Sequence, residues 1–100
     1  MNKETIINKL NSVAQQLLAA GVIEVGLYGS YVHNKNNNES DIDLLIDFME
    51  GKETFDNFML ATLLLDNLFE GYKVDVVTKK GLSPYIGPHI LKEVQYAKVA

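Results

Sequence analysis

Val22-Ile23-Glu24-Val25-Gly26-Leu27-Tyr28-Gly29-Ser30, ten further residues, and then Asp41-Ile42-Asp43-Leu44-Leu45-Ile46-Asp47-Phe48 is the stretch that decides the fold. The first run is β-branched and aromatic and favours a strand that stops at the Gly-Ser pair. Glycine there lets an anion approach the main chain closely, and a serine opening the following helical turn offers a hydroxyl and backbone N–H groups. Taken alone, a Gly-Ser pair after a strand is an ordinary turn. In the second run side chains alternate across a strand, so Asp41 and Asp43 share one face while Ile42, Leu44 and Ile46 take the other. Two carboxylates a strand repeat apart can share a hard cation such as Mg²⁺, which prefers oxygen ligands and keeps positions open for phosphates. A solvated strand start guarded against aggregation would give the same isolated pattern.

A third carboxylate, Asp75, lies in Val74-Asp75-Val76-Val77, a strand-like run whose neighbours suggest a covered position. Such a charge needs a partner. The choices are a metal shared with Asp41 and Asp43, a lysine such as Lys73, or an edge position where the side chain reaches water. Three acids brought together without a cation would repel one another and raise at least one pKa. A mixed sheet brings them together: the end of the first strand lies beside the start of an antiparallel second. A helical crossover from residue 52 to about 70 then returns the third strand parallel to the second. The fold expected is therefore α/β, a small mixed sheet flanked by helices. All three carboxylates would sit at one end of it, with Ser30 facing Asp41 and Asp43.

With these residues in view, the chain resembles the minimal nucleotidyltransferase (MNT) family of the DNA polymerase beta-like superfamily. The resemblance rests on Gly29-Ser30-x10-Asp41-Ile42-Asp43 and Lys73-Val74-Asp75-Val76-Val77-Thr78. It extends through the tail, Gly81-Leu82-Ser83-Pro84 to His89-Ile90-Leu91-Lys92-Glu93-Val94, and so spans the chain. It implies a polymerase beta-like nucleotidyltransferase core in which Gly29 and Ser30 hold the nucleotide phosphates and Asp41 and Asp43 bind two Mg²⁺ ions. Asp75 would complete the metal site and assist deprotonation of the attacking hydroxyl. ATP or another NTP would be the substrate, with NMP transferred to a hydroxyl and pyrophosphate released. The resemblance also implies a setting as the antitoxin beside a helical HEPN-domain protein, which some MNT proteins modify by attaching AMP to a tyrosine. Two alternatives stand beside it: a fold of this type that only masks such a partner by contact, and a structural metal-binding domain without a nucleotide.

The chain departs from the family pattern after Ser30. Family members usually continue with an arginine and a small-residue turn ending in glycine, whereas here Tyr31-Val32-His33-Asn34 follows, and arginine is absent throughout. An arginine fork at the phosphates is therefore lacking, and neutralisation falls to metal, backbone and lysine. Lys35 in the loop and Lys79-Lys80 after the third strand are the nearby lysines in sequence, each also readable as a solvated surface residue.

Composition agrees with a single small soluble domain over residues 1–100, since 47% hydrophobic residues suffice to fill one core. Cysteine is absent, which removes disulfides, thiolate ligands and a cysteine nucleophile and is compatible with a reducing cytoplasm. The start Met1-Asn2-Lys3-Glu4 leads into a charged amphipathic pattern and not into a signal peptide or membrane span. A cytoplasmic protein with no membrane partner is expected. The net charge of −4 and the scattering of nine lysines argue against nucleic acid, which ordinarily requires clustered cations. A protein or small-molecule acceptor fits better; whether the chain forms a homo-oligomer is open.

Ile6, Ile7, Leu10, Val13, Ala14, Leu17 and Leu18 recur at helical spacing and predict a first helix over residues 3–20, ending before Gly21. Asn34 to Ser40 reads as a polar loop between the turn and the acidic strand. Phe55, Phe58, Met59, Thr62, Leu63, Leu65, Leu68 and Phe69 make the second long helix nearly apolar, which favours core packing over a partner surface. Val74 to Thr78 forms the third strand. A last helix is expected from about residue 88, with Ile90, Leu91, Val94 and Ala97 on one side. Neither histidine has a partner pattern for nucleophilic catalysis or zinc. His33 is either a phosphate contact or a solvent-facing turn residue. His89 packs or caps the last helix, and Glu93 makes a structural hydrogen bond or a partner contact.

Overall fold

The computed structural model describes residues 1–33, 35–37 and 39–99. Its elements run α1 (Lys3–Ser12), α2 (Ala14–Ala19), β1 (Val22–Tyr28), β2 (Ile42–Phe48), α3 (Phe55–Leu68), β3 (Val74–Thr78), α4 (Gly87–Glu93) and β4 (Gln95–Ala97). The four strands form one sheet in the order β3-β2-β1-β4. Strand β1 is antiparallel to β2 and β4, and β2 is parallel to β3. This is the mixed sheet flanked by helices that the sequence predicts.

The expected first helix divides in two. Val13 leaves helical geometry (φ −111, ψ 19) and its N–H bonds the Leu10 carbonyl at 3.2 Å. The Ser12 hydroxyl meanwhile takes the Lys9 carbonyl at 2.6 Å. A hydroxyl that competes for main-chain acceptors, followed by a β-branched residue, weakens the helical ladder at that point. The apolar stripe survives the break, with Ile6, Leu10, Val13 and Leu17 all buried. They meet the inward face of the sheet, where Val22, Val25, Leu27, Ile42, Leu44, Ile46 and Phe48 join one core cluster. Asn2 caps the start of α1 by accepting the Thr5 N–H at 2.9 Å.

Helix α3 packs only one side. Thr54 caps it, accepting the Asn57 N–H at 3.1 Å, and Ala61, Leu65 and the following Phe69 are buried. Phe55 is 76% exposed, and Met59, Leu60 and Leu63 also face solvent, so the core-packing expectation is corrected for that half of the helix. A helix in a two-layer fold can bury only the face it turns to the sheet. Leu65→Ala should therefore cost about 2–5 kcal/mol, whereas Phe55→Ser should stay within about 0.5 kcal/mol of the parent. Urea unfolding of the two variants separates these sites; equal losses would contradict the packing described.

The tail holds an element the sequence reading missed. Helix α4 stops at Glu93, and Val94 turns extended (φ −59, ψ 137), letting Gln95–Ala97 pair with the open side of β1. Val94 occupies the space that a side chain at Gly26 would need, which brings the end of α4 down onto the sheet near the end of β1. Among the described residues, no helix is long and apolar enough to cross a membrane.

Candidate active site

Strand pairing places the acids. Tyr28 at the end of β1 lies opposite Asp43 at the start of β2, and Asp43 lies opposite Asp75 in β3. Alternation puts Asp41 on the same face as Asp43, just ahead of β2. The three carboxylates thus gather at one end of the sheet, on the face away from the main core.

Asp75 is exposed, because β3 is an edge strand with β2 as its one neighbour in the sheet. The covered position suggested by its valine neighbours is corrected: those side chains are only half-buried, and the edge, not burial, sets the environment. Lys73 does not serve Asp75 but stands 3.8 Å from Asp41, with its ammonium largely in solvent. Lys79 is committed to Glu24 at 3.4 Å, towards the other end of β1, while Lys35 and Lys80 are exposed.

Asp43 is the half-buried member, and burial pushes its carboxyl up from 3.8 to about 6, with Asp75, Asp41 and Glu93 adding repulsion in that order. Tyr28 shares this environment. Its phenol rises to about 12 through burial first, then through the charges of Asp43, Asp75 and Glu93. It stays protonated and is a hydrogen-bond donor facing the acids. The sequence reading overlooked Tyr28, although its place directly before Gly29 and across from Asp43 is where a strand pair would put it.

The turn is built differently from the expectation. Residues 30–33 form a turn and not the start of a helix. The Gly29 carbonyl accepts the Val32 N–H at 3.1 Å, and the Ser30 carbonyl accepts the Lys35 N–H at 2.9 Å. Tyr31 and Val32 cannot extend a helix into solvent because both side chains sink into the core. Gly29 itself has φ +81, and a Cβ there would collide with the Asp43 carboxylate. The glycine therefore serves two needs at once, a left-handed backbone and the close seat of Asp43. Its N–H donates to Glu93 Oε1 at 3.1 Å, so the Gly29 amide is engaged within the protein.

Glu93 makes the structural hydrogen bond expected of it, and its second oxygen meets His33 Nε2 at 2.5 Å. That bond is the main reason its carboxyl sits below the ordinary range, with the Gly29 N–H helping against the opposing effect of burial. His33 is half-exposed and His89 lies exposed on α4. Together with Val32, Lys92, Glu93 and Gln95 they line a groove of about 570 Å³ beside the turn. In the polar loop, Asn34 and Asn38 lie outside the described residues; Asn37 and Ser40 close a turn through bonds of 2.9 and 3.1 Å.

Among the described residues, no three acidic or histidine side chains converge closely enough as they stand to hold a metal ion. The donor set nonetheless suits a hard divalent cation: three carboxylates share one end of one face, and Asp43 carries the electrostatic cost of burial and, after it, of like charges nearby. A cation drawing the three together would remove that cost.

Residues 7–97 match the nucleotidyltransferase domain. The chain belongs to this family. It is 37% identical over 79 residues, 76% of this chain and 75% of the relative, to the protein adenylyltransferase MntA of Thermococcus cleftensis. The nucleotidyltransferase domain also resembles a solved structure described as a candidate minimal nucleotidyltransferase, with 30% identity, a TM-score of 0.79 and coverage of 95% of each chain. A second solved structure, a toxin–antitoxin crystallised with AMP-PNP, shares the fold at 22% identity and a TM-score of 0.63, over 90% of this chain and 70% of that one. The α/β arrangement described above is the minimal nucleotidyltransferase fold, and the chain is a nucleotidyltransferase.

Proposed function

We propose that this nucleotidyltransferase is Mg²⁺-dependent and transfers AMP from ATP to a hydroxyl of a protein partner. Its setting would be the cytoplasm, as the antitoxin of a pair whose toxin is a HEPN-domain protein. The observation that carries this reading is the Gly29 turn seated against Asp43, with Asp41 and Asp75 on the same face. The protein adenylyltransferase name of a relative supports the reaction, and the AMP-PNP-bound toxin–antitoxin of like fold supports the nucleotide and the setting. The scattered lysines and the net charge of −4 favour a protein acceptor over nucleic acid.

In the reaction the acceptor oxygen bonds to the α-phosphorus, the bond from that phosphorus to the β-bridging oxygen breaks, and pyrophosphate leaves. Ser30, through its hydroxyl and backbone N–H, holds the phosphates, and Gly29 permits their close approach. Asp75, open to solvent on the edge strand, takes the proton of the attacking hydroxyl. Asp41, Asp43 and Asp75 would hold Mg²⁺, in two ions, whose chemistry is neutralisation of the phosphates and orientation of the reacting oxygens. Positioning and charge neutralisation supply most of the rate.

Titrating ATP calorimetrically into the protein with and without Mg²⁺ tests the site. Binding that needs Mg²⁺ and vanishes in the Asp41→Asn, Asp43→Asn double variant is the expected result; absence of binding at millimolar ATP would sink the stand-alone enzyme. The exposed apolar stripe of α3 favours a second reading, an antitoxin that acts by contact alone. The same double variant separates the two in cells carrying the toxin: protection is lost if transfer matters and kept if contact suffices.

A further inference from the structure

Glu93 ends α4, 64 residues after Gly29, yet its single carboxylate spans the turn. One oxygen takes the Gly29 N–H at 3.1 Å and the other meets His33 Nε2 at 2.5 Å. Gly29 opens that turn and His33 closes it, while on the other side Gly29 abuts Asp43. The turn has no helix behind it to fix its direction. Its orientation therefore comes from tethers, namely the buried side chains of Tyr31 and Val32 and this carboxylate. A carboxylate beside a polyphosphate is unfavourable as a direct contact, and Glu93 is turned instead into hydrogen bonds with the protein. We infer that Glu93 is a positioning residue for nucleotide binding, fixing the Gly29–Ser30 turn through its paired bonds to Gly29 and His33, and that the triphosphate is the part of the ligand whose affinity depends on it.

The inference rests on the function proposed above, and the test keeps the two apart. Calorimetric titration of Mg²⁺·ATP and Mg²⁺·AMP into the full chain, Glu93→Ala and Glu93→Gln should show ATP affinity falling about tenfold in Glu93→Ala, the scale of one charge-assisted hydrogen bond. AMP affinity should change far less. Glu93→Gln keeps an oxygen that can accept the Gly29 N–H and should recover most of the loss, with all three proteins melting within a few degrees of one another. Unchanged ATP affinity in Glu93→Ala overturns the inference. So does Glu93→Gln binding as weakly as Glu93→Ala, or an equal loss for both nucleotides. A parent chain that binds no Mg²⁺·ATP overturns both this inference and the reading beneath it.

Discussion

Asp43→Asn should raise the thermal midpoint of the metal-free protein at pH 7.5 while abolishing the AMP transfer proposed above. The Asp43 carboxyl titrates near 6 in the fold against an ordinary 3.8, so between these values the folded state holds a proton that the unfolded state has released. Stability therefore falls as pH rises through that window, and the full penalty is present above about pH 6. Two units would correspond to roughly 3 kcal/mol, and solvent screening at a half-buried site reduces this to about 1–2 kcal/mol. Removing the charge returns that amount, or roughly 5–10 °C for a domain of this size. The parent should gain stability between pH 7.5 and 4.5 in chelator, and the variant should gain less. Transfer should drop at least about a thousandfold, since an oxygen donor to the phosphate-neutralising cation is lost. Melting curves at the two pH values, paired with the mass shift of the acceptor, check both halves. A variant that melts lower than the parent at pH 7.5 would refute the claim that the Asp43 charge, half-buried and beside other acids, strains this end of the sheet.

Gly29→Ala should be far more damaging than the same change at Gly51 or Gly71. All three glycines have positive φ, +81, +82 and +91. A Cβ at Gly51 or Gly71 has no atom within 4 Å, whereas at Gly29 it strikes the Asp43 carboxylate. Backbone strain alone costs about 1–2 kcal/mol, which is the whole expected effect at the two open positions. At Gly29 the carboxylate must also move, which breaks its register with the turn and loosens the Gly29 N–H from Glu93. A loss of about 3 kcal/mol or more is expected there, with the proposed Mg²⁺-dependent ATP binding abolished. Chemical denaturation of the three variants decides it; equal destabilisation would mean that Gly29 serves only the backbone.

The strands were legible because their signal is local. Val22–Tyr28, the run from Asp41 to Phe48 and Val74–Thr78 are β-branched stretches bounded by polar or glycine punctuation, and the crossover length dictated the parallel return of β3. Asp41 and Asp43 could be placed on one face from alternation, and Asp75 beside them from the parallel return of the third strand. What escaped depended on neighbours distant in sequence. Gln95–Ala97 is too short to announce a strand and becomes one because the outer side of β1 is open to it. Asp75 looked covered because valines flank it, but edge or centre is a property of the sheet. The outer stripe of α3 was hard to see for a related reason: a helix nearly apolar along its middle turns carries little mark of which face the second layer will meet. Glu93 could be assigned a hydrogen bond but not its partners, since Gly29 and His33 reach it only through the descent of Val94 onto Gly26.

The edge position of β3 also determines what kind of reaction chamber this fold can offer. With Asp75 exposed on the outermost strand, the acidic end of the sheet is, among the described residues, a shelf open along that flank. A shelf sets no upper limit on the size of what is brought to it, so an intact folded protein can present a side chain there as readily as a small molecule can. An open flank also offers fewer contacts with which to tell one acceptor from another than an enclosed cleft does. Selectivity in such an arrangement has to be delegated to whatever holds the acceptor in place, and the rate then follows the local concentration that this holding creates.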